Sequence, residues 1–183
     1  MKWLITQALC LFLLGLACTT SLAQSTPSEF RFEHLTVNDG LSHSDAMAVA
    51  QDRLGFLWIG TNRGVNRYDG YELKKYILPV NPLNGLSGNR VRALHVGRDG
   101  RLWVGAESSG LSLYDADRDR FVNITERQAP VALHGLARLL AQADVVAITS
   151  DPHGRLWVGT QHQGMFVLDF DVQGRLRNLQ QVP

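Results

Sequence analysis

The stretch GFLWIGTNRGVNRYDG, residues 55–70, sets a tryptophan inside a strand-like run, closes that run with Gly60, and ends on Tyr-Asp-Gly. Nearly the same phrase occurs twice more. Aligned on Trp, the three segments are DRLGFLWIGTNRGVNRYDG (52–70), RDGRLWVGAESSGLSLYDA (98–116) and DPHGRLWVGTQHQGMFVLDF (151–170). Gly55, Gly100 and Gly154 stand three residues before Trp58, Trp103 and Trp157, and Gly60, Gly105 and Gly159 stand two after. A further glycine at 64, 110 or 164 opens the next run, which closes on Asp69, Asp115 or Asp169.

The tryptophans are 45 and 54 residues apart, a period that suits propeller blades. Each unit resolves into four short strands. In the second they are expected at Val91 to Val96, Leu102 to Ala106, Leu111 to Tyr114 and Arg120 to Ile124. The separators are Asp99-Gly100, Ser108-Ser109-Gly110 and Asp115 to Asp119, whose Asp-Gly and glycine-containing turns supply the positive φ that tight hairpins require. Consecutive strands joined this way form an antiparallel meander.

Alternation says how the meanders are covered. In LWVG one face carries Leu102 and Val104 and the other Trp103 and Gly105, and the first and third units repeat the pattern. Both faces are apolar, so each sheet is expected to be covered on both sides by its neighbours, as in a propeller. A buried Trp removes about 200 Å² from water, roughly 5 kcal/mol before entropy is counted. Packing is thus a sufficient reason for Trp58, Trp103 and Trp157, with ligand stacking as the alternative.

The ends and composition set further bounds. Residues 1–23 read as a secretory signal peptide: Met1-Lys2, the apolar run Ala8 to Ala17, and small residues at Ser21 and Ala23 ahead of Gln24. Both cysteines, Cys10 and Cys18, lie in that segment, so the exported chain is expected to carry no disulfide. Its charge is balanced, with 17 basic and 17 acidic residues after position 23, which favours neither nucleic acid nor an anionic membrane surface. No run after the signal is long enough to span a bilayer.

These residues resemble the two-component regulator propeller repeats found in the periplasmic part of bacterial sensor proteins. The resemblance rests on Phe32 to Leu35, Asp39-Gly40-Leu41-Ser42, Gln51-Asp52, Gly55 to Thr61, Gly64-Val65 and Arg67-Tyr68-Asp69-Gly70, with looser copies around LWVGA and LWVGT. It implies an all-β fold of four-stranded blades, a periplasmic location, and a longer sensor. Relatives continue through more blades and a membrane helix into a histidine kinase or a diguanylate cyclase. This chain stops at Pro183, and three blades do not close a ring.

The expected organisation is a signal peptide over 1–23, an N-terminal segment over 24–37 with an outer strand at Arg31 to Val37, blades over 38–80, 81–125 and 145–183, and a helical insertion over 126–144. In the insertion, Leu133, Leu136, Ala137, Leu140 and Ala143 recur at helical spacing, with His134, Arg138 and Gln142 as a polar line. An open end exposes a sheet face and strand edges, so further blades or self-association are expected to cover it.

Candidate ligand-binding residues lie on the rim where blade-joining connectors and the turns between second and third strands meet: Asn62, Arg63, Glu107, Gln161 and His162, with His134 and Arg138 of the insertion. The same residues suit any solvated turn. The six histidines show no metal spacing, and no nucleophile with a base, phosphate loop or dinucleotide pattern is present. No catalytic residue, metal or cofactor is expected. The leading expectation is a sensory module that binds a small molecule, a glycan or a periplasmic protein and feeds a two-component or cyclic-dinucleotide signal. A propeller enzyme, such as a lyase or quinone-dependent dehydrogenase, and a protein-binding adaptor are the alternatives.

Overall fold

The computed structural model describes residues 32–78, 85–171 and 173–182. The expected signal peptide lies outside these residues. The chain divides into two units at Leu35, and every described strand lies in the second. Of the expected outer strand, Phe32 to Thr36 pair with no strand among the described residues, and a 3-10 turn opens at Val37.

Among the described residues, twelve strands form three sheets. The first contains β1 (Ala46–Gln51), β2 (Leu57–Thr61), β3 (Gly64–Tyr68) and β4 (Leu73–Tyr76). The second contains β5 (Val91–Val96), β6 (Leu102–Ala106), β7 (Gly110–Asp115) and β8 (Arg120–Asn123). The third contains β9 (Val145–Ser150), β10 (Leu156–Thr160), β11 (Met165–Phe170) and β12 (Leu176–Val182). Each sheet is an antiparallel meander in chain order. In the second sheet β5 and β6 occupy the expected bounds, β7 runs one residue further at each end, and β8 ends one residue earlier. The hairpin glycines Gly55, Gly100 and Gly154 have φ of 89°, 84° and 83°, the left-handed conformation that a side chain resists.

The sheets stack face to face through a contact repeated between neighbours. The innermost strand of every sheet carries a bulge beside its first residue, at Ala46/Ala48, at Val91/Ala93 and opposite Gly159/Thr160. A bulge re-aims a side chain, and here it turns Val91 onto Gly60 and Val145 onto Gly105. A Cβ placed on Gly60 would lie 2.6 Å from Val91 Cγ1, and one on Gly105 would lie 2.3 Å from Val145 Cγ1. The glycine two residues after each tryptophan therefore makes room for the next sheet. Gly159 has only Ala147 of its own sheet near that position, at 3.5 Å.

Two apolar cores result from this stacking. Trp58, Val65, Leu86, Val91, Leu102, Val104 and Phe121 fill the first interface. Trp103, Leu111, Leu140, Val145, Leu156, Val158, Phe166 and Leu168 lead the second. Leu102 and Val104 thus face one neighbour and Trp103 the other, as the alternation requires. Trp58 and Trp103 are buried, whereas Trp157, on the outer face of the third sheet, stays half-buried.

The insertion folds as two 3-10 turns, Glu126–Gln128 and Val131–Leu133, followed by helix α1 (His134–Ala141). Ala137, Leu140 and Ala143 are fully buried, and Leu133 and Leu136 pack beside them. Leu140 stands five residues before Val145, as Leu86 does before Val91 and Leu41 before Ala46. All three leucines are buried. The helix thus delivers a side chain that the other sheets receive from a loop.

Candidate functional site

Strand direction gives the stack two rims. Blade-joining connectors and the β2–β3, β6–β7 and β10–β11 turns share one, the connector rim. The turns between first and second and between third and fourth strands share the other, the hairpin rim.

On the connector rim, Asn62, Glu107, Gln161 and His162 are each tied to the segment leading into a sheet. Asn62 Nδ2 donates to Asp45 Oδ2 at 2.9 Å. Glu107 Oε1 accepts from Arg90 Nη1 at 2.9 Å, while its buried Oε2 accepts no hydrogen bond and lies 3.8 Å from Arg92 Nε. Gln161 N–H donates to the Asp144 carbonyl at 2.9 Å, and His162 Nε2 lies 3.9 Å from Asp144 Oδ2. Asp144 also accepts from Ser108 N–H and Oγ at 2.6 and 2.9 Å, and these bonds hold its carboxyl below the usual range.

Asp144 therefore joins Ser108, Gln161 and His162 across the second and third sheets, with Glu107 next to Ser108 in the same turn. Asn62 belongs to a separate group around Asp45, where Arg63 is exposed. His134 and Arg138 serve the insertion itself. Arg138 Nε donates to Glu126 Oε2 at 2.9 Å, and the His134 ring bonds the Ala129 carbonyl at 3.2 Å. They do not join the rim groups. The connector rim presents alternating positive and negative side chains, suited to a polar ligand or a protein surface.

The hairpin rim holds side chains that the repeat pattern did not single out. Trp58 Nε1 donates to Asp52 Oδ2 at 2.7 Å, and Trp157 Nε1 donates to Asp151 Oδ2 at 3.2 Å. The other oxygen of each carboxylate accepts two backbone N–H groups of its own turn. Desolvation raises the Asp151 pKa, but the bonds from Trp157 and Arg155 outweigh it and hold the group ionised well below the usual range. The signal was an aspartate six residues before Trp in the first and third copies. In the second copy that position is Gly97.

Between the first two sheets, Asp119 sits at φ 50° in the β7–β8 turn. Its Oδ1 accepts from Tyr76 and Tyr114 hydroxyls, each at 2.6 Å, and its Oδ2 pairs with Lys74. Arg67 Nη1 donates to the Tyr114 hydroxyl at 3.1 Å, and its guanidinium lies 4.8 Å from the Phe56 ring centroid. Desolvation pushes Asp119 up, yet the bonds from Lys74, Tyr114 and Tyr76 prevail and keep it far below the ordinary carboxylate range. Burial first, then the bond to Asp119, pushes the Tyr76 hydroxyl far up. This group joins β3 and β4 of one sheet to β7 and β8 of the next. No sequence signal marks it, because its members come from separate strands.

Two clefts open on the hairpin rim. One, of about 240 Å³, lies between the first and second sheets beside Trp58, Arg67 and Tyr114. The other, of about 320 Å³, lies between the second and third beside Arg101, Trp103 and Phe170. Above the second, His95 bonds Ser150 Oγ at 3.0 Å, and burial lowers the His95 pKa. Among the described residues, no group of His, Cys, Asp and Glu could hold a metal ion. No described helix is long and apolar enough to cross a membrane.

Comparison with known proteins agrees with the geometry. The profile of the two component regulator propeller family matches residues 40–63, 85–108 and 139–162. Each match starts one residue before Leu41, Leu86 or Leu140 and ends in the turn after the second strand. A histidine kinase, P4, of Formosa agariphila is 45% identical over 49 residues, which cover 27% of this chain and 4% of that protein. The extracellular domain of a hybrid two component system from B. thetaiotaomicron superposes with a TM-score of 0.65 at 25% identity, over 80% of this chain and 20% of that one. Virginiamycin B lyase of Staphylococcus aureus shares the fold alone, with a TM-score of 0.55 at 16% identity over 84% of this chain and 45% of the lyase. The chain therefore spans a small fraction of the sensor proteins it resembles. Three matches, in phase with three sheets built alike, show that this chain carries two-component regulator propeller repeats.

Proposed function

We propose that this chain is a periplasmic sensory segment: a run of propeller blades that binds a ligand or protein partner, without catalysis, and passes the binding event to a two-component or cyclic-dinucleotide output. The observation that carries this reading is the triple match to the regulator propeller repeat, in step with the three sheets. Likeness to an extracellular domain of a hybrid two component system supports the location. The signal-like residues 1–23 support export.

The outer face of the third sheet, with Gly159 uncovered and Trp157 half-buried, supports a longer stack or a self-associating chain. The connector rim is the proposed recognition surface, through Asn62, Arg63, Glu107, Gln161 and His162. The test has two arms. Alkaline phosphatase fused after Pro183 is expected to be active in cells, and an inactive fusion with intact protein overturns the location. In the sensor that carries this segment, Glu107→Gln with Arg63→Ala is expected to cut response-regulator phosphorylation about tenfold under inducing conditions, as losing charge-assisted bonds does. An unchanged response overturns the rim assignment.

A further inference from the structure

The cleft between the second and third sheets differs from its counterpart in one chemical respect. In the first and third sheets a carboxylate takes the indole N–H of the repeat tryptophan, at Asp52 and at Asp151. In the second sheet the same position is Gly97. Among the described residues nothing accepts a hydrogen bond from Trp103 Nε1, although Trp103 is only 3% exposed and lines the cleft. The indole N–H stays open to the cleft, which is about 320 Å³ rather than 240 Å³.

In the turn around Gly97, Asp99 restores one of the missing aspartate's two backbone bonds but not the bond to the indole. Asp99 Oδ1 accepts Arg101 N–H at 3.0 Å, and its Oδ2 pairs with Arg101 Nε. Arg101 Nη1 is buried and likewise has no hydrogen-bond partner. One unspent donor thus opens into the cleft, and a second, on a cation, is buried in its wall. Asp99 is already committed to Arg101, so the nearby Arg98 leaves the mouth net positive. Leu156 and Phe170 supply apolar wall.

We propose that this cleft binds a small organic carboxylate, whose oxygens take the place that Asp52 and Asp151 hold in the sister turns and whose apolar body lies along Leu156 and Phe170. The site is on the opposite rim from the proposed recognition surface and does not depend on the sensory reading.

Calorimetric titration of the full chain with benzoate, and with benzamide as its neutral counterpart, tests this. Benzoate is expected to give a one-site isotherm with Kd of about 1 mM or tighter, and benzamide to bind at least about tenfold more weakly. Gly97→Asp rebuilds the sister turn and is expected to abolish benzoate binding. A Cβ at Gly97 meets only the end of the Asp99 side chain, at 2.7 Å from Oδ1, so this variant retains the backbone. Trp103→Phe keeps a ring and removes the N–H, and is expected to weaken binding about tenfold. Trp157→Phe, whose N–H is already satisfied, is expected to leave it unchanged. Absence of saturation by benzoate at about 10 mM, equal binding of benzamide, or undiminished binding by folded Gly97→Asp would each overturn the proposal.

Discussion

The two interfaces between sheets share one contact and differ in nearly everything else. Both seat a bulged valine on a glycine, Val91 on Gly60 and Val145 on Gly105. Around the first stands an aromatic group, with Trp58 and Tyr114 centroids 4.7 Å apart and Tyr76 and Phe121 5.4 Å apart. The Asp119 cluster ties the two sheets together on the hairpin rim. The second is mainly aliphatic, roofed by α1, with the tilted ring pair of Trp103 and Phe170 at 4.8 Å. The repeat thus constrains the backbone approach, and the side chains beyond it are free to diverge. That freedom is where one interface acquired a polar cluster and the other a cleft with an unpaired indole N–H.

The comparison can be broken most sharply at the aromatic centre. Trp58→Ala is expected to cost about 4 kcal/mol, as large aromatic truncations in cores do, while Trp157→Ala on the open face costs well under half of that. Equal losses in urea unfolding would show that the two tryptophans are equally packed.

The three glycines grade the contact itself. Gly105→Ala, whose methyl would lie 2.3 Å from Val145 Cγ1 and 2.9 Å from its Cβ, is expected to destabilise by about 3 kcal/mol. Gly60→Ala, with Val91 Cβ at 3.3 Å, is expected to cost about 2 kcal/mol. Gly159→Ala is expected to fall within about 0.5 kcal/mol of the parent. The same unfolding series reads all three, and a flat series would remove the glycine from its role. Should Gly159→Ala prove costly only at high protein concentration, self-association through the third sheet is the cause.

The smallest expected effect distinguishes the interfaces by pH. Asp119 has a depressed pKa in the folded chain, so its contribution is present above the unfolded carboxylate value, near 4, and is lost as pH falls through the folded value. Stability should decline on acidification, and Asp119→Asn should flatten that decline while costing about 1 kcal/mol at neutral pH, a figure discounted for exposure. An unchanged acid slope in the variant would assign the decline to other carboxylates, such as Asp151.

Much of this fold was legible because its turns are written in Asp, Gly and Ser, which set strand ends almost residue by residue. The alternation in LWVG likewise announced two covered faces. The glycine to valine contact was hidden, since the partners lie in successive units and the bulge shifts the alternation at the valine. Leu140 was read as part of a helix stripe, and its equivalence to Leu41 and Leu86 emerges only where all three become buried in the same place. For the candidate site, the rim position of Asn62, Glu107, Gln161 and His162 followed from the phase of the repeat. Their tethers to Asp45, Arg90 and Asp144 did not, because those partners sit in connectors of unequal length. Asp119 was illegible for a related reason: Lys74, Tyr76 and Tyr114 reach it from two different sheets.

The seating of valine on glycine also gives the stack a polarity. Each sheet offers a hollow on one side and a protrusion on the other, so sheets add in one orientation only, as threaded parts do. At the leading end, the position equivalent to Val91 and Val145 is Ala46, which is exposed. Any sheet that meets the first one from that side finds a methyl where both inner seams have an isopropyl group. A seam formed there would be shallower than the other two, and it would be the first place at which a closed ring built on this chain could part.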